Sequence, residues 1–237
     1  MIKKYKRIML KFSGEVLLGK NGDAIDFVVL EKLCKEIVAL HKKKLEIVVV
    51  VGGGNIWRYR DNKGKGLPRV ESDFMGMMAT IMNGAAMKAT LERLGAKARV
   101  MSALNVAEIA EPYVRQKALD HLDQGRILVC AGGTGRPFFT TDSAAALRGL
   151  ELNCDVLLKA TKVDGVYDSD PMKNKKAKRY DSITFDEVLK RKLAFMDTTA
   201  SALCREGNLP VVVFDLMKKG NLSKAASAKK IGTLVHV

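Results

Sequence analysis

Glu46-Ile47-Val48-Val49-Val50-Val51-Gly52-Gly53-Gly54 reads as a strand that runs straight into a glycine turn. An unbroken β-branched run suits a strand buried on both faces, as in a parallel sheet covered by helices. Working outward, segment types alternate. Upstream, Ile8, Leu10 and Phe12 mark a strand ended by Ser13-Gly14. Val29, Leu33, Ile37 and Leu40 then fall on one face of a helix over Val28 to Leu40, and Lys42-Lys43-Lys44 suits its C-terminus. Downstream, residues 55–72 read as loop, with Gly64, Gly66 and Pro68, before a Met-rich helix over about Asp73 to Leu94. Strands are predicted near 97–101, 126–131, 154–160, 210–214 and 232–237. Helices are predicted between Pro112 and Gln124, with the proline in the first turn, over Thr141 to Leu152, and after the capping box Thr184-x-x-Glu187. Residues 161–182 read as a basic loop. This order predicts an α/β protein, a three-layer αβα sandwich with a mainly parallel central sheet. No linker-like tract or internal repeat divides the chain, so its 237 residues are read as one domain.

Composition narrows the class. Hydrophobic residues at 47% and charged residues at 28% exclude a disordered or fibrous chain. No apolar run reaches the ~20 residues needed to span a bilayer. The basic start Met1 to Arg7 resembles a signal peptide's first region, but Lys11 and Glu15 interrupt the apolar stretch that would follow. Cys34, Cys130, Cys154 and Cys204 have no CxxC spacing and lie in apolar segments, so they read as buried free thiols. A soluble cytoplasmic protein is expected. The unusual number is the net charge: 41 Lys plus Arg against 26 Asp plus Glu, or +15. It fits a solvated basic surface, or a partner that is nucleic acid, anionic membrane or a phosphorylated small molecule.

In open α/β sheets, ligands bind beyond the carboxyl ends of strands. Four predicted ends carry the same equipment. They are Lys11-Phe12-Ser13-Gly14-Glu15, Gly52-Gly53-Gly54-Asn55, Gly132-Gly133-Thr134-Gly135 and Lys159-Ala160-Thr161-Lys162-Val163-Asp164-Gly165. Glycines let backbone N–H groups approach an anion, helix N-termini add partial positive charge, and lysines neutralise phosphate. Each piece alone is a weak signal; four together point to a multi-phosphate site. Two common templates fail. Gly14-x-x-x-x-Gly19-Lys20 is followed by Asn21 where a phosphate loop needs Ser or Thr, and the triple glycine lacks the last glycine of GxGxxG.

Read together, these residues resemble the bacterial UMP kinases of the amino acid kinase superfamily. The likeness runs from the KxSGE-type opening at Lys11 through Gly52 to Arg58, Asp73-Phe74-Met75-Gly76-Met77 and Met82-Asn83-Gly84. It continues through Thr134-Gly135-Arg136-Pro137-Phe138-Phe139-Thr140-Thr141-Asp142-Ser143 and Leu158 to Tyr167, then Asp170-Pro171. It covers nearly the whole chain. It implies transfer of the ATP γ-phosphoryl to UMP, giving UDP and ADP, in pyrimidine nucleotide biosynthesis. It also implies an N-terminal UMP-binding part (about 1–155) and a C-terminal ATP-binding part (about 156–237). Magnesium arriving with ATP, a homohexamer, UTP inhibition, and no membrane or nucleic-acid partner follow from the same likeness. Activation by GTP is less supported, because Gly19 to Ala24 follows the associated glycine pattern only in part.

By this resemblance Lys11 and Lys159 flank the transferring phosphoryl and Asp142 orients them. Lys11, Phe12, Ser13, Gly14, Gly54, Arg58, Thr161, Tyr167 and Asp170 would bind ATP, with Lys162 a further phosphate cation. Gly53, Asp73, Thr134, Gly135, Arg136, Pro137, Phe138, Phe139, Thr140 and Thr141 would bind UMP. Several of these also have an ordinary structural reading. Asp73 and Asp197 fit helix N-caps, Phe138 and Phe139 fit core positions, and Met75, Met77, Met78, Met82 and Met87 fit helix packing. A basic nucleic-acid-binding protein on the same fold, or a kinase of another acceptor such as carbamate, are the competing classes. Dispersed basic residues and 6% aromatics argue against the first.

Overall fold

The structure, a computed structural model, describes residues 5–20, 22–62 and 64–237. Met1 to Lys4 and the Asn21 position of the failed phosphate-loop template therefore lie outside the described residues. The elements in chain order are β1 (Arg7–Phe12), α1 (Phe27–His41), β2 (Glu46–Val51), α2 (Tyr59–Asn62), α3 (Arg69–Arg93), β3 (Ala98–Ser102), β4 (Glu111–Pro112), α4 (Arg115–Asp123) and β5 (Ile127–Ala131). There follow α5 (Thr141–Glu151), β6 (Val156–Thr161), β7 (Ser182–Thr184), α6 (Phe185–Lys190), α7 (Thr198–Glu206), β8 (Val211–Asp215), α8 (Asn221–Ala226) and β9 (Thr233–His236).

The strands form one sheet in the order β4-β3-β5-β2-β1-β6-β8-β9-β7. The pairs from β4 to β8 are parallel, and β9 runs antiparallel to β8. Alternation along each strand sorts side chains into two cores. Ile8, Leu10 and Phe12 of β1 join Val49, Leu158 and residues of α1, α3 and α8. Met9, Val48, Val50 and Leu157 face the other way, onto α4, α5, α6 and α7. The predicted three-layer sandwich is therefore present, and burial of β2 on both faces is what its unbroken valine run requires. The four cysteines are buried and free.

Three local readings need correction. The helix expected from Asp73 begins at Arg69 with Pro68 as its N-cap, so Asp73 lies in its second turn and caps nothing. Within the segment read as loop, a further short helix forms at Tyr59–Asn62. Pro112 sits in the two-residue strand β4, and the helix after it starts at Arg115. Strands β4 and β7 went unpredicted because two or three residues carry no period. The Thr184 cap is as expected, accepting from the Glu187 N–H.

Candidate active site

The sheet order does the first work. It places β5, β2, β1 and β6 side by side, so the four loops picked out by their glycines and lysines become neighbours. They are fitted backbone to backbone. A Cβ on Gly14 would lie 2.3 Å from both the Gly52 carbonyl oxygen and Asn55 Oδ1, so only glycine fits. A Cβ on Gly53 would lie 2.6 Å from the Gly76 carbonyl oxygen of α3. The helix α3 fastens these loops from below. Asn83 donates to the Gly52 carbonyl and exchanges amide hydrogen bonds with Asn55, and Thr80 accepts from the Gly132 N–H. In the sequence Asn83 stands out only as part of Met82-Asn83-Gly84, and Thr80 belongs to no motif. A buried polar residue on a helix face is the signal that marks both.

Lys11 and Lys159 are direct cross-strand partners of β1 and β6. They follow Met9 and Leu157 by two residues, so both point to the α5 side of the sheet. There they meet one carboxylate. Asp142, in the first turn of α5, forms an ion pair with each lysine. Burial opposes ionisation of Asp142, but the two lysines outweigh it and hold its carboxyl below the usual range. Lys159 is driven down to about 8 by burial and by the neighbouring Lys11 charge, with Asp142 partly restoring it. The arrangement therefore carries one more positive charge than negative, held in a fixed place.

The helix start that carries Asp142 is itself braced. Thr140 caps α5 by accepting from the N–H groups of Asp142 and Ser143. Its hydroxyl and that of Ser143 donate to Asp197, which also caps α7 through the Ala200 N–H. Asp197 is thus a helix cap and, through Thr140, a support of the site.

A cleft of about 670 Å³ opens in front of the lysines. Lys11, Ser13, Lys159, Thr161, Lys162, Tyr167 and Asp170 line it, together with Glu15. Tyr167 donates to Asp164 at 2.6 Å, and Asp170 accepts from the Met172 N–H. Glu15 bridges Arg58 at 3.2 Å and Lys162 at 3.1 Å. Phe12 does not bring its side chain here: it points into the opposite core and is fully buried. Its carbonyl accepts from the Gly52 N–H.

The expected acceptor residues gather on the other flank, between β5 and α3. Asp73 is held by Arg69 at 2.8 Å and accepts from the Phe138 N–H at 2.8 Å, so both its oxygens are engaged. Arg69 also stacks over Tyr59, 4.5 Å from the ring centre. Phe138 and Phe139 are exposed, which removes the core reading for both. Phe138 adopts a positive φ of 72°, a strained backbone that turns its N–H to Asp73. Gly135, Pro137 and exposed Arg136 continue the same loop, with Thr134 accepting from the Arg136 N–H. Thr134 also lines a separate hollow with Tyr113, Arg148 and Glu151.

No group of three or more His, Cys, Asp or Glu able to hold a metal occurs among the described residues. The carboxylates that line the cleft have other partners: Glu15 its two cations, Asp168 the Lys178 N–H and Asp170 the Met172 N–H, while Asp142 beside the cleft holds the two lysines. These side chains do not form a cage for a resident cation.

A family model described as the amino acid kinase family matches residues 6–215. Among solved structures, a UMP kinase from Bacillus anthracis superposes with a TM-score of 0.95 at 36% identity, over 99% of this chain and 97% of that one. A UMP kinase from Ureaplasma parvum gives 0.93 at 37%, over 99% of this chain and all of the other. A uridylate kinase from Archaeoglobus fulgidus gives 0.74 at 24%, over 96% and 99%, a likeness that speaks to fold alone.

Proposed function

Because this chain belongs to the amino acid kinase family, on its UMP kinase branch, we propose that it transfers the γ-phosphoryl group of ATP to UMP, giving UDP and ADP. The observation that carries this is the pair of register-matched lysines sharing one largely enclosed aspartate at the mouth of a nucleotide-sized cleft.

Phosphoryl transfer between two phosphates needs in-line placement and charge neutralisation more than covalent help. Lys11 and Lys159 supply fixed positive charge where donor and acceptor phosphates repel. Asp142 keeps both ammonium groups from swinging away. The N–H groups of Gly53 and Gly54 would add donors to phosphate, and the N-terminus of α5 would add a partial positive charge. Thr161, Tyr167 and Asp170 would receive the ATP base and ribose. Asp73 would take the UMP ribose hydroxyls, exchanging its Arg69 and Phe138 contacts for them. Magnesium would arrive with ATP as part of the substrate and would supply further neutralisation of phosphate charge.

The expected hexamer is supported by one face of α3, where Phe74, Met75, Met78 and Met82 stand exposed. The packing reading of the methionines holds for Met77 and Met87, which are buried. UTP inhibition would use the same acceptor flank. No helix among the described residues is long and apolar enough to cross a membrane. The test is ADP release from MgATP with UMP, CMP or carbamate as acceptor. Turnover confined to UMP is expected. Turnover with carbamate in its place, or none with folded protein, would reject the reading.

A further inference from the structure

Glu15 has no part in the triad of Lys11, Asp142 and Lys159, yet it stands in the same cleft. The backbone after β1 puts it there. Ser13 caps a short 3-10 turn at Gly14–Leu17 by accepting from the Glu15 N–H, which leaves the carboxylate facing the strand ends. Its two oxygens are divided between two cations that arrive from different loops. Oε1 pairs with Arg58, from the loop after β2, and Oε2 with Lys162, from the loop after β6. Arg58 is further tied by its Nε to the Gly54 carbonyl. Glu15 and Lys162 line the cleft itself, and Arg58 anchors the other oxygen from the loop behind it. A carboxylate that occupies a cation at a cleft read as a phosphate site is an anionic mimic of one phosphate edge.

We propose that Glu15 is an internal stand-in for substrate phosphate: tied through Arg58 to the loop after β2, it holds Lys162 at the cleft while no nucleotide is bound and yields these cations when polyphosphate enters. This rests on reading the cleft as the ATP site. The chemistry is exchange of ion pairs, with no bond made or broken. Phosphates carry more charge than one carboxylate, so they win the exchange. Glu15 makes that victory smaller, which limits ground-state binding and speeds departure of the phosphorylated products. The carboxylate is a positioning residue with a cost to affinity built in.

The test compares wild type, Glu15→Gln and Glu15→Asp. Binding of inorganic tripolyphosphate is measured by calorimetry, alongside kcat and KM for MgATP. Glu15→Gln keeps shape and removes charge. It should bind tripolyphosphate about three- to tenfold more tightly, the scale of two partly exposed ion pairs. KM for MgATP should fall with it, and kcat should not rise. Glu15→Asp keeps the charge and should stay within about twofold of wild type. Unchanged or weaker binding in Glu15→Gln overturns the inference. So does equal weakening in both variants, which would make Glu15 a structural support only. Wild type that binds tripolyphosphate but turns over no UMP would reject the acceptor reading and leave this one standing. Wild type that does not bind tripolyphosphate rejects the inference outright.

Discussion

Two ion clusters of the same make-up, one carboxylate between two cations, sit a few residues apart and are built for different work. In the first, Lys11, Lys159 and Asp142 have side-chain exposures of 10%, 8% and 13%. In the second, Arg58, Glu15 and Lys162 are 23%, 31% and 64% exposed. Burial decides the role. Charges out of water interact strongly and are costly to separate, so the inner cluster is a fixed feature of the fold. The outer cluster is screened and weak, so it can open for a ligand. A phosphotransferase needs both, a permanent field at the reacting centre and exchangeable contacts at the entrance.

The strongest way to break this contrast is Asp142→Ala. It leaves two buried ammonium groups facing each other, and chemical denaturation should show a loss of about 3–5 kcal/mol. A loss below about 1 kcal/mol would place the inner cluster in the same weak class as exposed pairs. Next comes Lys11→Met, which keeps volume and removes charge. The fold should persist by circular dichroism, while kcat falls on the order of 10²- to 10³-fold. Near-normal turnover would remove Lys11 from the chemistry.

The third handle is pH. Burial and the Lys11 charge push the Lys159 ammonium down to about 8 in the folded protein. Since the charged form is the useful one, kcat/KM should fall as pH rises through about 8. The limb in kcat should lie higher, because bound phosphates favour the charged lysine. Lys159→Arg, charged throughout, should lose that limb. Stability runs the other way. Between about 8 and the ordinary lysine value of 10.5 the unfolded chain holds a proton that the folded one has lost, so this residue's contribution rises with pH. Asp142 acts at the acid end, its contribution present above the ordinary carboxylate range and lost as pH falls below it.

The smallest effects belong to the outer cluster. Arg58→Gln and Lys162→Gln should each raise KM several-fold and leave stability within about 0.5 kcal/mol. The KM differences should shrink with added salt. Stability losses as large as those of Asp142→Ala would erase the distinction between the clusters.

The strands and helices that carry the inner cluster were legible because their signals are periodic or compositional. The valine run of β2, the alternation of β1 and the glycines after each strand survive in any context that buries a parallel sheet. What could not be read locally was pairing. That Lys11 stands opposite Lys159 is a matter of register, set by strands more than a hundred residues apart. Asp73 misled for a related reason. It has the look of a cap, but Pro68 starts the helix earlier and Arg69 reaches it one turn on. Phe138 and Phe139 look like core and are turned outward by a strained loop. Glu15 was visible within a motif, but its role depends on Arg58 and Lys162, which the sheet order brings to it.

The fixed charge cluster is proposed to move a phosphoryl group from ATP to UMP. Incubation with γ-³²P-labelled MgATP and UMP, followed by separation of the nucleotides, tests it directly. The label should appear in the β-phosphate of UDP in step with ADP formation, and its transfer to UDP should slow on the order of 10²- to 10³-fold in Lys11→Met. Label released as inorganic phosphate, or retained in ATP by folded wild-type protein, would contradict the account.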